Sequence, residues 1–371
     1  LDPQLVTLVR DEYRDFAGDV FDRDDVDVQS AEARGFLARS RDRYDLIQVA
    51  LVDSFGASAA GLYALNEGYL YTTEALASYY ETLDEDGYIA ITRWMKLPPR
   101  DTLKMFATAV AALRVSGVET PEEHLLLIRS WQTSTLLIKR GSFNAGEIER
   151  ARQFCETNAF DLAFYDGMPA ALANRFNRLP EPYLHEGANS LLGADPAAYV
   201  HDYKFNIEPA TDDRPYFSSF FKWRTLHEIL ELRGRGGVPL LESGYLILIV
   251  TLIQAVIISI VLLVVPLWKR LRAADLARFR MAAYFAILGL AFLFVEIAFI
   301  QKFMLFLHHP VLAVAVVLSS FLVFAGIGSH LAGRCPEQRL RQLVIAASAA
   351  IGVLSVIYVF ILPELVFAPL V

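Results

Sequence analysis

The sequence predicts an α/β domain in water followed by an all-α transmembrane domain of about four helices. Three observations carry this. The 371 residues have a net charge of −8, but nine Lys/Arg against four Asp/Glu after residue 242 make the last third +5 and leave −13 for residues 1–242. The 26 residues from Ser243 to Trp268 carry no charge, and about 20 apolar residues suffice to cross a hydrocarbon core. Upstream, helical and strand periodicities alternate, as in a layered α/β fold. The overall 54% hydrophobic content and mean hydropathy of +0.36 exclude a disordered chain, and the acidic aqueous part argues against nucleic acid as a partner.

The first element is a helix capped by Asp2 and begun by Pro3, with Leu5, Leu8, Val9, Tyr13 and Phe16 at helical spacing. Strands are expected at Asp27–Gln29 and, more strongly, at Leu46–Val52, whose apolar run suits a strand buried on both faces. A helix over Thr73–Leu83, an Asp86-Gly87 turn, a strand over Tyr88–Thr92 and a helix over Thr102–Ser116 follow. Leu125–Arg129 and Thr135–Lys139 read as an antiparallel hairpin. Asn144 with Glu147 is a capping-box pattern that starts a helix reaching Asn158, before a strand over Asp161–Tyr165. Residues 1–166 thus form the α/β domain. The stretch 167–242, rich in Pro, Asn, Gly and Ala from Gly167 to Pro209, is a connector with some helix rather than a second core, and 243–371 is the membrane domain.

The expected spans are 243–268, 281–307, 311–331 and 342–365, the middle two joined by His308-His309-Pro310. Pro310 suits the first turn of its helix, and Gly326 with Gly328 would let a neighbour approach closely. Eight Lys/Arg in the loops after the first and third spans oppose four before the first, so the charge pattern votes both ways on sidedness. Within the second span lie Glu296, Gln301 and Lys302, which read either as a polar intramembrane site or as an acid paired elsewhere with a lysine that snorkels to the interface. Cys155 and Cys335 stand far apart and read as packing residues, and no metal site is expected.

Several runs together resemble a known family: Tyr44-Asp45-Leu46-Ile47, Asp53-Ser54, Gly68-Tyr69-Leu70-Tyr71-Thr72-Thr73-Glu74-Ala75, Asp86 to Trp94, Pro209 to Phe217, and the intramembrane run Phe294 to Phe303 with His309-Pro310 and Gly326 to Ser329. They are similar to spermidine synthase-like proteins fused to membrane helices, within the class of S-adenosylmethionine-dependent methyltransferase folds. That resemblance implies a Rossmann-like, doubly wound sheet ending in a hairpin. It implies aminopropyl transfer from decarboxylated S-adenosylmethionine to a polyamine such as putrescine, in a multi-pass protein of a prokaryotic plasma membrane. The alternatives are a methyltransferase using S-adenosylmethionine, or a polyamine-linked transporter with a non-catalytic, nucleoside-sensing domain.

Carried across position by position, the adenine-reading pair falls at Glu32-Ala33, and the amine-activating acid falls at Ala50, with Asp53 the nearest carboxylate and the expected catalytic base. Tyr71 and Glu74 are the expected substrate contacts, or else a core ring and an ordinary first-turn acid. Asp212 and Asp213 with Arg214 read as an amine or head-group site, or as a turn before Pro215. The glycine-rich loop and the ribose-binding acid of the family are expected upstream of Leu1, in a further segment of a longer protein.

Overall fold

A computed structural model of the protein describes residues 3–51, 67–225, 240–264, 276–307, 310–334 and 336–360. The chain divides into two units, Ser40–Val264 and Leu1–Arg39 with Val265–Val371.

In chain order the helices are α1 (Pro3–Thr7), α2 (Arg14–Ala17), α3 (Ala33–Arg39), α4 (Thr73–Thr82), α5 (Asp101–Val115), α6 (Ala145–Asn158), α7 (Tyr183–Leu192), α8 (Pro196–Asp202), α9 (Leu240–Ser259), α10 (Leu276–Leu307), α11 (Pro310–Gly333) and α12 (Glu337–Phe360). The strands are β1 (Tyr44–Val49), β2 (Leu83–Trp94), β3 (Leu125–Arg129), β4 (Thr133–Lys139) and β5 (Asp161–Phe164). They form one mixed sheet in the order β1-β2-β4-β3-β5. Only β1 and β2 run parallel; β2 with β4, β4 with β3, and β3 with β5 are antiparallel.

Much of the local reading holds. Asn144 Oδ1 accepts from Glu147 N–H while the Glu147 carboxylate accepts from Asn144 N–H, which completes the capping box at α6. The hairpin β3–β4 turns through Ser130, Trp131 and Gln132. The expected Asp86-Gly87 turn is a bulge inside a longer strand. β1 pairs Tyr44 with Leu83 and then Leu46 with Tyr88, so β2 loops out between them, with Asp86 at φ +64. Gly87 is required there, because a Cβ would stand 2.7 Å from the Tyr44 carbonyl oxygen.

Three expectations are corrected. Residues 27–29 form no strand, because nothing in the described residues pairs with them. β1 is not buried on both faces: it pairs only with β2 among the described residues and leaves Leu46 55% exposed. Its Val52 end lies outside the described residues. The connector holds the expected helix, as α7 and α8, but its side chains also join the core of the α/β sheet. Leu184, Ala188 and Leu191 form the buried face of α7, which packs on α5 and β5, and Phe205, Ile207, Ala210 and Phe217 are buried as well.

The core gathers around α5, where Leu103, Met105, Phe106 and Leu113 are fully buried beside Ile89 and Ile91 of β2. Phe106 meets Phe164 of β5 edge to face at 5.2 Å. Burying such a ring contributes about 1.5–3 kcal/mol. A second cluster of Leu126, Cys155, Leu162, Met168 and Ala173 fixes α6 to the sheet. Beneath the following loop, the carboxylate of Asp161 accepts from the backbone N–H groups of Arg175, Phe176 and Asn177, and Arg129 donates to it at 2.8 Å.

The C-terminal region is helical. Two of its helices, over Arg280–Met304 and Val311–Gly333, are long and apolar enough to cross a membrane, and shorter apolar helical stretches cover Ile249–Leu262 and Val344–Leu354. Pro310 opens α11 as expected. Gly326 and Gly328 face open space, with no atom within 4 Å of a Cβ built there, so they make no close helix contact among the described residues.

Candidate functional site

In sheets with parallel strands, ligands bind beyond the carboxyl ends of the strands. At that edge of the β1–β2 pair, two of the sequence-singled segments, 68–75 and 209–217, clasp each other although about 140 residues separate them. Gly68 N–H donates to the Pro215 carbonyl at 2.7 Å, and Thr73 N–H donates to the Ala210 carbonyl at 2.8 Å, joined there by the Thr73 hydroxyl at 3.0 Å. Thr72 caps α4, accepting from Ala75 N–H, and its hydroxyl also donates to Asp212 Oδ1 at 2.7 Å. Asp212 N–H donates back to Glu74 Oε2 at 3.0 Å. The 211–214 turn closes through its own backbone, Arg214 N–H to the Thr211 carbonyl. The Asp212 side chain ties this turn to the N-terminus of α4.

Beneath the clasp, cations and aromatic rings alternate. The Arg93 guanidinium lies 4.7 Å from the Tyr71 ring and 4.9 Å from Phe217. Lys104 Nζ lies 5.8 Å from Phe217 and 5.4 Å from Phe220, and Arg100 lies 5.7 Å from Phe220 and 4.9 Å from Phe205. Cation–aromatic contacts strengthen when desolvated, to about 2 kcal/mol or more. Arg93 also donates to Asp101 at 3.2 Å, and Lys104 donates to the Tyr216 and Ser219 carbonyls at 3.2 Å each. Burial pulls the Lys104 ammonium down to about 8, against the opposing pull of Asp101 and Glu208. Burial, followed by the charges of Glu67 and Asp212, pushes the Tyr69 phenol well above its ordinary range; its hydroxyl donates to Glu67 at 3.2 Å. The clasp rim is therefore acidic, with Glu67, Glu74 and Asp212 close to one another in the fold, over a buried basic and aromatic floor.

The expected site residues divide accordingly. Tyr71 is buried in the floor and its ring meets Phe217 at 5.2 Å; Glu74 stays exposed on the rim. Asp53 lies outside the described residues, and Ala50 follows the last residue of β1. Glu32 turns its carboxylate onto the N–H groups of Arg34 and Gly35, at 3.1 and 2.7 Å, capping α3, whose first residue is Ala33. Glu296, Gln301 and Lys302 are half-buried on α10. Among the described residues no group of three His, Cys, Asp or Glu side chains is placed to hold a metal ion.

Arg100 and Lys104 were not singled out in the sequence, and Thr72 and Arg93 stood there only as members of longer runs, with no role of their own. Arg93 had a signal, since it stands in phase with Ile89 and Ile91 on the buried side of β2, and so did Thr72, a threonine immediately before the expected helix start. Compared with models of known protein families and with the sequences of curated proteins, the chain matches none.

Proposed function

We propose that the chain is a membrane-anchored, spermidine synthase-like transferase that moves an aminopropyl group from decarboxylated S-adenosylmethionine to a polyamine. The observation that carries the reading is the clasp: Gly68–Glu74 and Ala210–Phe217, both quoted for the family resemblance, meet at the strand edge where such a domain binds its substrates. The sheet's end supports it, because a parallel pair followed by an antiparallel hairpin is the ending expected of a methyltransferase-type Rossmann-like sheet. The shorter apolar stretches on α9 and α12, added to the two longer ones on α10 and α11, support the reading of four spans in a multi-pass protein, and the family resemblance implies a prokaryotic plasma membrane.

In this reading the neutral amine attacks the methylene carbon next to the sulfonium, the C–S bond breaks, and its electron pair leaves as the neutral thioether methylthioadenosine. The new ammonium passes a proton to a carboxylate. Asp53 takes that role, and the acidic rim of Glu74 and Asp212 holds the distant cationic end of the amine.

A second reading has its own observation: Ala50, immediately after β1, offers no carboxylate where the base is expected. The domain would then bind an amine or nucleoside without transfer and act on the membrane helices. The test uses protein expressed from its whole reading frame and placed in lipid nanodiscs, supplied with decarboxylated S-adenosylmethionine and putrescine. Saturable release of methylthioadenosine, lost in Asp53→Asn, is the expected result. Binding without release transfers the function to the second reading, and neither binding nor release overturns both.

A further inference from the structure

The helix pair α10–α11 carries an acid in an unusual position. Phe292, Glu296, Phe299 and Phe303 fall at steps of four, three and four residues, on one face of α10. Two of them show what that face meets: Phe292 and Phe299 both pack on Phe321 of α11, at 5.3 and 5.7 Å. On α11 the buried Ala313 and Val317 lead to Phe321 at steps of four. Glu296 therefore lies at the seam between the two helices, between rings that touch the same partner, while Phe294 on the opposite face is exposed. It is half-buried, and among the described residues it makes no hydrogen bond or ion pair. At 1.5 Å per residue it lies about 12 Å inside the Met304 end of the apolar stretch.

An ionised carboxylate at such depth is costly, so the position favours an occupant that neutralises it. A metal ion requires several oxygen ligands, and no cluster of acids or histidines stands here among the described residues. An organic amine would have to displace the contacts of Phe292 and Phe299 with Phe321. A proton requires neither.

We propose that Glu296 is an intramembrane proton-binding site, its carboxyl taking up a proton from water and releasing it within the α10–α11 seam. The other titratable groups on the described parts of these helices near the seam are Lys302, six residues along α10, and His330, nine residues beyond Phe321 on α11, roughly 13 Å away along the axis. The inference rests on the membrane reading of α10 and α11, but not on the chemistry proposed for the α/β unit.

The test uses the whole chain in lipid vesicles. Resistance to alkaline carbonate extraction first checks membrane integration, and release of the protein at that step overturns the membrane reading itself. The retained protein is then treated with dicyclohexylcarbodiimide, which modifies protonated carboxyl groups in apolar surroundings, and the Glu296 peptide is followed by mass spectrometry. Labelling of Glu296 that falls at least tenfold from acid to alkaline pH is expected. In infrared difference spectra, a protonated-carboxyl band lost in Glu296→Gln and shifted in Glu296→Asp is expected alongside it. No labelling at any pH, or labelling that ignores pH together with an unchanged band in Glu296→Gln, overturns the proposal.

Discussion

The α/β unit and the α10–α11 pair use charge in opposite ways. In the α/β unit Arg93, Lys104, Arg129 and Lys139 are each 2% exposed, and every one meets a carboxylate or carbonyl oxygen. On α10 and α11 the large apolar side chains are outside, and the half-buried acid in the seam has no partner among the described residues. Each pattern answers a different solvent. Where water surrounds the fold, apolar side chains fill the core and a charge goes inside only with its partners in place. Where lipid surrounds a helix, apolar side chains cost nothing on the outside, and a charge anywhere is expensive.

The contrast breaks most severely where a buried pair is halved. Asp161→Ala leaves Arg129 buried without its carboxylate and frees three loop N–H groups, so the α/β unit should lose about 3–5 kcal/mol, read as a lower urea midpoint by tryptophan fluorescence. An unchanged midpoint would show that water enters to replace Asp161. Next, Phe294→Arg should lower membrane integration by about 2.5–3.5 kcal/mol, whereas Trp131→Arg, at the exposed hairpin tip, should leave it unchanged. Equal effects at both sites would erase the distinction between the two solvents.

Lys104 sharpens the comparison through pH. Its folded-state value, about 8, lies below the unfolded value near 10.4, so the unfolded chain binds more protons between the two and stability rises with pH across that window. The gain should be on the order of 2–3 kcal/mol relative to Lys104→Met, which lacks the group; a flat difference between the two proteins from pH 7.5 to 10.5 would contradict the burial of a charged lysine. The smallest effect belongs to Thr72→Ala, which removes both the α4 cap and the bond to Asp212 and should cost about 1 kcal/mol, with faster proteolysis at residues 209–217. A stable variant cut no faster than the parent would show that the clasp holds without Thr72.

What the sequence disclosed was local. The Asn144–Glu147 box, the hairpin strands and the bounds of α4 and α5 to within two residues depend on neighbours a few positions apart, and their patterns carry that information. The apolar run at Leu46 looked like a central strand because the run alone does not say how many neighbours it has. The buried face of α7, with Leu184, Ala188 and Leu191 at helical spacing, was hidden by the Pro- and Gly-rich composition around it. In the candidate site Tyr71 and Glu74 were visible as types at a loop-to-helix junction, but their attachment to Asp212 and Phe217 was not. No local pattern encodes a contact made across about 140 residues.

The claim that residues 67–75 and 209–217 act as one amine site is tested most directly by hydrogen–deuterium exchange of the lipid-embedded protein with and without putrescine. The account predicts slower exchange in both segments together, abolished in both by Glu74→Gln. Protection of one segment without the other, or of neither, would contradict it.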